Sequence, residues 1–270
     1  MIPMIKSGLP ISYNSSGDLS WDAGIQVAGT ARKTVFDMAP LLLKPDYLPA
    51  DEPYYDVYRA IIHPEDEPVF KEYNKRYDIT VIMPSPENGE CKKTAGHFHS
   101  YLPGQNCSYP EVYEVLVGTA LYILVKVNDH MADDRHLVIE DVRLVTVHAG
   151  ETIIIPPLYG HASVNIGQGP MIFNNVCTLE NKSDYSLVKR HHGMPYYIVK
   201  ENGTLKFWKN PSYTMDIPAP RMMRVLENPE YGILFNNPVY HEFLKRPQVF
   251  SFLENPIGKV ENIMNMLADV

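Results

Sequence analysis

Between residues 78 and about 199, short apolar, β-branched runs alternate with breaks rich in Gly, Pro, Asn and Asp. Residues 79–83, 112–117, 120–127, 144–147, 152–155, 162–166, 171–176 and 196–199 are predicted strands. The breaks fall at 84–89, 118, 128–135, 149–150, 156–160 and 167–170. Many short strands at this spacing predict an all-β sandwich or barrel. Asn202-Gly203 between two β-prone runs predicts a two-residue hairpin turn. The flanks read differently. Residues 1–50 are mixed, with one amphipathic patch at 34–43 predicted as a short helix ending before Pro45. Residues 51–76 are acidic and tyrosine-rich, with Tyr54, Tyr55 and Tyr58 close together. Beyond about Pro218, Pro-rich turns separate pieces predicted as helices at 221–226, 239–245 and 259–267. The expected organisation is an N-terminal segment (1–76) packed on a barrel (77–213), followed by a helical extension (214–270).

Charge and cysteine content narrow the function classes. A formal charge of -8 with dispersed Lys and Arg argues against nucleic-acid and anionic-membrane partners, which need a concentrated positive surface. The densest basic run, Lys189, Arg190, His191 and His192, reads as a solvated turn. Three cysteines, Cys91, Cys107 and Cys177, make no disulfide framework and suit a reducing compartment. The first residues lack the sustained apolar run of a signal peptide, and no stretch approaches the ~18 apolar residues of a membrane span. A cytoplasmic protein is expected.

The chemistry concentrates in three places. In Gly96-His97-Phe98-His99, strand alternation puts both imidazoles on one face and Phe98 on the other. Glu111 opens the next β run, which Gly118 ends. Downstream, Gly150 opens an apolar strand, a Pro156-Pro157 turn follows, and His161 starts another strand. His97, His99, Glu111 and His161 make a three-histidine, one-carboxylate set suited to a borderline divalent metal, with two octahedral positions left for vicinal oxygens. Glu114 is the only near rival to Glu111, and on a strand it faces the other way. Tyr159 and Asn165 are read as structural, Asn165 holding a turn or strand edge. The other histidines (His63, His130, His136, His148, His191, His192 and His241) lie in polar surroundings and are read as surface residues.

These residues resemble the cupin superfamily. Glu111-x6-Gly118, Gly150-x5-Pro156 and His161-x3-Asn165 are similar to parts of its two motifs. Two features depart: eleven residues separate His99 from Glu111, more than is usual, and Pro156-Pro157-Leu158-Tyr159-Gly160 replaces a tight P-x-G. More narrowly, Thr94-Ala95-Gly96-His97-Phe98-His99, Pro110-Glu111-Val112-Tyr113, and the stretch from Ile155 to Gly167 resemble the cupin-type glucose-6-phosphate isomerases of archaea and some bacteria. Ala31-Arg32-Lys33, Tyr55-Asp56-Val57-Tyr58, Ile79-Thr80-Val81, Asp184-Tyr185 and Val199-Lys200-Glu201-Asn202-Gly203 agree with it. The likeness runs from about residue 25 to 213, leaving the tail outside.

The resemblance implies a cupin double-stranded β-helix (a jelly-roll barrel) that interconverts glucose 6-phosphate and fructose 6-phosphate. It implies a homodimer that covers sheet edges; nothing in the sequence fixes the metal, and Fe2+ is the first choice, with Mn2+, Zn2+ and Ni2+ as alternatives. Glu111 becomes the candidate acid–base, moving a proton between C1 and C2. A metal-assisted hydride shift is the rival route. Tyr55, Thr80, Thr94, Gly96 and Tyr185 map to the phosphate pocket, and Tyr113 lies near the sugar. That pocket is expected to use hydroxyl and backbone donors with little net charge. Cys177 stands where the family has a pocket tyrosine. Two readings compete: another metal cupin enzyme such as a dioxygenase, and a non-enzymatic sugar-binding cupin.

Overall fold

The computed structural model describes residues 1–270, the side chain of Tyr47 excepted. Its centre is two facing sheets. One has six strands in the order Thr152–Ile155, Glu111–Val117, Met171–Thr178, Lys75–Ile82, Pro53–Ile62 and Gln26–Thr34. The other has five, in the order Tyr159–Asn165, Thr119–Val127, Ile139–His148, Arg221–Val225 and Leu267–Asp269. Neighbouring strands are antiparallel except Ile139–His148 with Arg221–Val225. This is an all-β sandwich of the kind the strand pattern predicts, and the jelly roll that the family resemblance implies.

Alternation along each strand builds two cores. Tyr113, Val115, Ile155 and Phe173 point inward and meet Tyr122, Leu124, Val145 and Val164 of the other sheet. Val112, Leu116, Ile154, Ile172 and Val176 point outward, where Met4, Leu9, Ile11, Val239, Phe243, Phe250 and Phe252 cover them. The strands Thr152–Ile155, Glu111–Val117, Met171–Thr178 and Lys75–Ile82 are therefore buried on both faces, which explains the uninterrupted apolar run at 153–155. The N-terminal residues and the C-terminal extension supply that cover.

Local punctuation works as the residue types dictate. Thr34 and Asp37 form a reciprocal capping box on the helix Val35–Met38. Gly118 and Gly150 turn with φ of 83° and 94°, where a side chain is strained. Asn202 and Gly203, with φ of 50° and 75°, form the hairpin turn between Tyr196–Glu201 and Thr204–Lys209. The Asn165 amide donates to the Met83 and Gly169 carbonyls and accepts from Gly167 N, so it ties a turn together.

Several elements differ from expectation. Residues 221–226 are not helical: Arg221–Val225 is a strand, with Met223 and Val225 buried and Arg224 exposed. Its period-two pattern meets an open strand edge, and sheet pairing outweighs the local helical preference. The helix Val239–Lys245 forms as expected, while 259–267 divides into a helix, Val260–Met264, and the strand from Leu267. The tyrosine-rich segment contributes the ten-residue strand Pro53–Ile62. His130 and His191 are buried, not superficial. His130 stacks between Phe98 and Tyr101, and His191 pairs with Asp134 and the Ser212 carbonyl. Both find partners remote in sequence that polar neighbours do not reveal. Among the described residues, no helix is long and apolar enough to cross a membrane.

Candidate metal centre and active-site cavity

Three short stretches deliver the cluster. His97 and His161 face each other across a two-bond backbone bridge, His97 N donating to the His161 carbonyl (3.0 Å) and His161 N to the His97 carbonyl (2.9 Å). Phe98 points away from the imidazoles and packs over Gly160, where a Cβ would lie 2.5 Å from its ring. The glycine before His161 thus lets two β segments approach closely enough to bring the histidines together. Glu111 stands on the strand beside, opposite Ile155. One candidate ligand atom from each of His97, His99, Glu111 and His161 lies within 4.8 Å of all the others. Ligands held about 2.0–2.2 Å from one ion are spaced about 3–4 Å apart, so the set can close on a metal with small adjustments.

Hydrogen bonding around the cluster tests whether it suits a metal. His99 Nδ1 lies 2.7 Å from the Tyr109 carbonyl, which can only accept, so Nδ1 carries the proton. His99 Nε2 then turns a lone pair toward the Glu111 carboxylate at 3.0 Å and has no hydrogen-bond donor. Two such electron pairs face each other stably only around a cation or a shared proton. The Tyr113 hydroxyl donates to Glu111 Oε2 (3.0 Å) and therefore accepts from His161 Nε2 (2.9 Å). That tautomer leaves His161 Nδ1 as a bare lone pair, buried without a partner. Asn175 Nδ2 holds the other carboxylate oxygen at 2.7 Å. The residues fit a divalent metal: buried lone pairs converge, and outer hydrogen bonds fix their orientation.

Electrostatics agree. Burial and the facing His99 imidazole push His97 down to about 3. Burial and the two neighbouring imidazoles hold His161 well below its ordinary value. Burial alone pushes Glu111 up, but its contacts with His99, His97 and Tyr113 outweigh this and lower it. Neutral imidazoles and an ionised carboxylate are the metal-binding forms. Burial and the nearby Glu111 carboxylate keep the Cys177 thiol protonated.

A polar cavity opens beside the cluster, and Tyr55, Thr80, Thr94, Gly96, Tyr113 and Tyr185 all line it with His97 and Glu111. Tyr55 and Thr80 stand on the adjacent strands Pro53–Ile62 and Lys75–Ile82. Thr94 accepts from Ser163 N at 3.0 Å, and Tyr185 leans on His97 with ring centroids 5.3 Å apart. Tyr113 sits deeper than expected, bonded within the cluster. Sequence reasoning missed Arg59, Arg76, Asn175 and Ser163, which share the cavity. The period-two position of Arg59 relative to Tyr55, and of Arg76 relative to Thr80, was the available signal. A roomier apolar cavity of about 360 Å3 between Leu42, Leu48, Tyr54 and Trp208 shares no residue with this one.

A jelly roll that gathers three histidines and a glutamate beside a polar cavity is a cupin. The model of a known family, "Glucose-6-phosphate isomerase (GPI)", matches residues 32–215, about two thirds of the chain. The chain therefore belongs to the glucose-6-phosphate isomerase family, and so is an aldose–ketose isomerase by class. Relatives include the glucose-6-phosphate isomerase of Pyrococcus furiosus, 27% identical over 163 residues (60% of this chain, 74% of that one). That of Thermococcus litoralis is 27% identical over 165 residues (61% and 75%). Among solved structures, an oxalate oxidase aligns with TM-score 0.30 at 17% identity (45% of this chain, 49% of that one). A vicilin from Solanum melongena aligns with TM-score 0.33 at 11% identity (48% and 30%).

Proposed function

We propose that the protein interconverts glucose 6-phosphate and fructose 6-phosphate as a metal-dependent isomerase, with His97, His99, Glu111 and His161 holding Fe2+ and Glu111 moving the proton. The observation that carries this reading is the facing pair of His99 Nε2 and Glu111 Oε2, both acceptors 3.0 Å apart, at the wall of a cavity lined with hydroxyl and backbone donors. The family membership names the substrate pair. A bound metal supplies Lewis acidity at the C1 and C2 oxygens of the open-chain sugar.

Glu111 takes the C2 proton of the aldose and returns a proton to C1, while a hydroxyl proton passes from O2 to O1. Asn175 and Tyr113 hold the carboxylate for this exchange, at 2.7 and 3.0 Å from its two oxygens. Tyr113 couples the carboxylate to His161 and can steady the proton distribution as Glu111 changes charge. Tyr55, Thr80, Thr94, the Gly96 backbone and Tyr185 place the rest of the sugar phosphate.

The decisive experiment assays fructose 6-phosphate conversion in heavy water, after chelation and reloading with Fe2+, Mn2+, Zn2+ or Ni2+. Metal-dependent turnover with deuterium entering the transferred position is expected. Turnover without deuterium would move the reaction to a hydride shift. Absence of turnover with metal bound would sink the isomerase reading and bring forward the dioxygenase or sugar-binding alternatives. The nine-residue edge strand Gln26–Thr34 offers a surface for a homodimer, and three buried free cysteines suit a reducing cytoplasm. Sedimentation of the purified protein tests the first.

A further inference from the structure

The cavity wall carries two arginines joined through one carboxylate. Arg59 and Arg76 both line the cavity. Arg59 Nη1 donates to Asp78 Oδ2 at 2.7 Å, and Arg76 Nε reaches both Asp78 oxygens at 2.9 and 3.0 Å. Ala60 N also donates to Asp78, at 2.9 Å. The Asp78 side chain is fully buried, while those of Arg59 and Arg76 are 47% and 34% exposed. The carboxylate is thus saturated and fixed, and the guanidinium groups reach from it into the cavity.

Their remaining donors are unspent. Nη1 and Nη2 of Arg76, and Nε and Nη2 of Arg59, have no protein partner among the described residues. Two guanidinium charges against one carboxylate leave one net positive charge on this wall. The placement follows from register. Arg76, Asp78 and Thr80 alternate onto one face of Lys75–Ile82, as Tyr55, Val57 and Arg59 do on Pro53–Ile62. The arginines therefore continue the rows that hold Tyr55 and Thr80. Cys177, opposite Arg76, is a weak donor that competes little for an anion.

We propose that Arg59 and Arg76, braced on Asp78, are the anion-recognition residues of this cavity and set its preference for a phosphorylated over a neutral sugar. A planar guanidinium meets a phosphate with two parallel, charge-assisted bonds, which a hydroxyl cannot supply. Asp78 fixes both forks before the ligand arrives, so little side-chain freedom is lost on binding. Naming the ligand a sugar phosphate rests on the isomerase reading, but the anion site is measurable without turnover.

The test is calorimetric titration of inorganic phosphate and glucose 6-phosphate into the full chain after chelator treatment. Wild type, R59Q, R76Q, R76K and T80V are compared, with thermal melts alongside. R59Q and R76Q are each expected to weaken both ligands by about tenfold or more. R76K keeps the charge on Asp78 but loses the fork, so it guards against a folding failure and is expected to weaken binding severalfold. Wild-type affinity in the folded arginine variants, with the loss confined to T80V, would overturn the proposal and place the anion on the hydroxyls. In the metal-loaded enzyme, R76Q should raise KM for fructose 6-phosphate far more than it lowers kcat. A wild type that binds phosphate through these arginines yet isomerises nothing would retire the isomerase reading and leave the anion site standing.

Discussion

Glu111 and Glu114 sit three residues apart on one strand, both are buried, and they have opposite fates. Glu111 faces inward among His99, Tyr113 and Asn175, whose contacts lower its pKa despite burial. Glu114 faces outward beneath the C-terminal extension, where burial pushes it up to about 8 although Asn174 and Val239 N donate to it. The same residue type is pushed toward the ionised form on one face and toward the neutral form on the other. Burial alone does not decide the charge of a carboxyl group; the groups that share its pocket do. The two faces also divide the labour of the molecule, chemistry inside and cover outside.

This contrast is open to direct attack. The largest effect belongs to Glu111→Gln, which keeps the shape and removes the base; kcat should fall about 10^2- to 10^4-fold and metal content should drop, both read on the purified enzyme. Glu114→Gln, its outward counterpart, should leave kcat within about twofold. Equal losses in the two variants would erase the distinction between the faces. Next, Phe243→Ala in the outer core should cost about 3–5 kcal/mol in denaturant unfolding, while turnover per folded molecule is preserved. A fall in specific activity there would show that the extension acts on the site and not only on stability.

Smaller changes sharpen the comparison. Tyr113→Phe removes the hydroxyl that ties Glu111 to His161, and a loss of about 10- to 100-fold in metal affinity or activity is expected from titration and steady-state rates. The smallest effect is a slope. Because the folded pKa of Glu114 is raised, its favourable contribution is complete below the unfolded value and is lost as pH rises through about 8. Wild type should therefore lose melting temperature between about pH 5 and 8, and Glu114→Gln should flatten that decline. Parallel pH profiles would mean that Glu114 is not the group responsible.

Much of the site was legible because its signals are local. His97 and His99 alternate onto one face, glycines mark turns at 118 and 150, and His161 follows a Pro turn, so each candidate ligand could be placed without knowing its neighbours. The structure brings all four together. The strands of the central region were legible for the same reason. The helical reading of 221–226 failed because the residues that decide its state lie on Ile139–His148, about 80 positions away. The cavity expected to hold hydroxyl and backbone donors also carries Arg59 and Arg76, whose dispersal in sequence hid their convergence on Asp78.

The all-β core, the set of clustered histidine and carboxylate donors and the family follow from the sequence, because alternation, turn chemistry and motif spacing act over a few residues. Only the tertiary structure decided which carboxylate keeps its charge, which histidines are buried, and where the cavity gains positive charge. Those outcomes depend on strand register and on what covers each face. The Glu114–Val239 contact spans 125 positions and the Asn175–Glu111 bond 64. Desolvation and charge pairing are properties of a neighbourhood in space, and no window along the chain contains it.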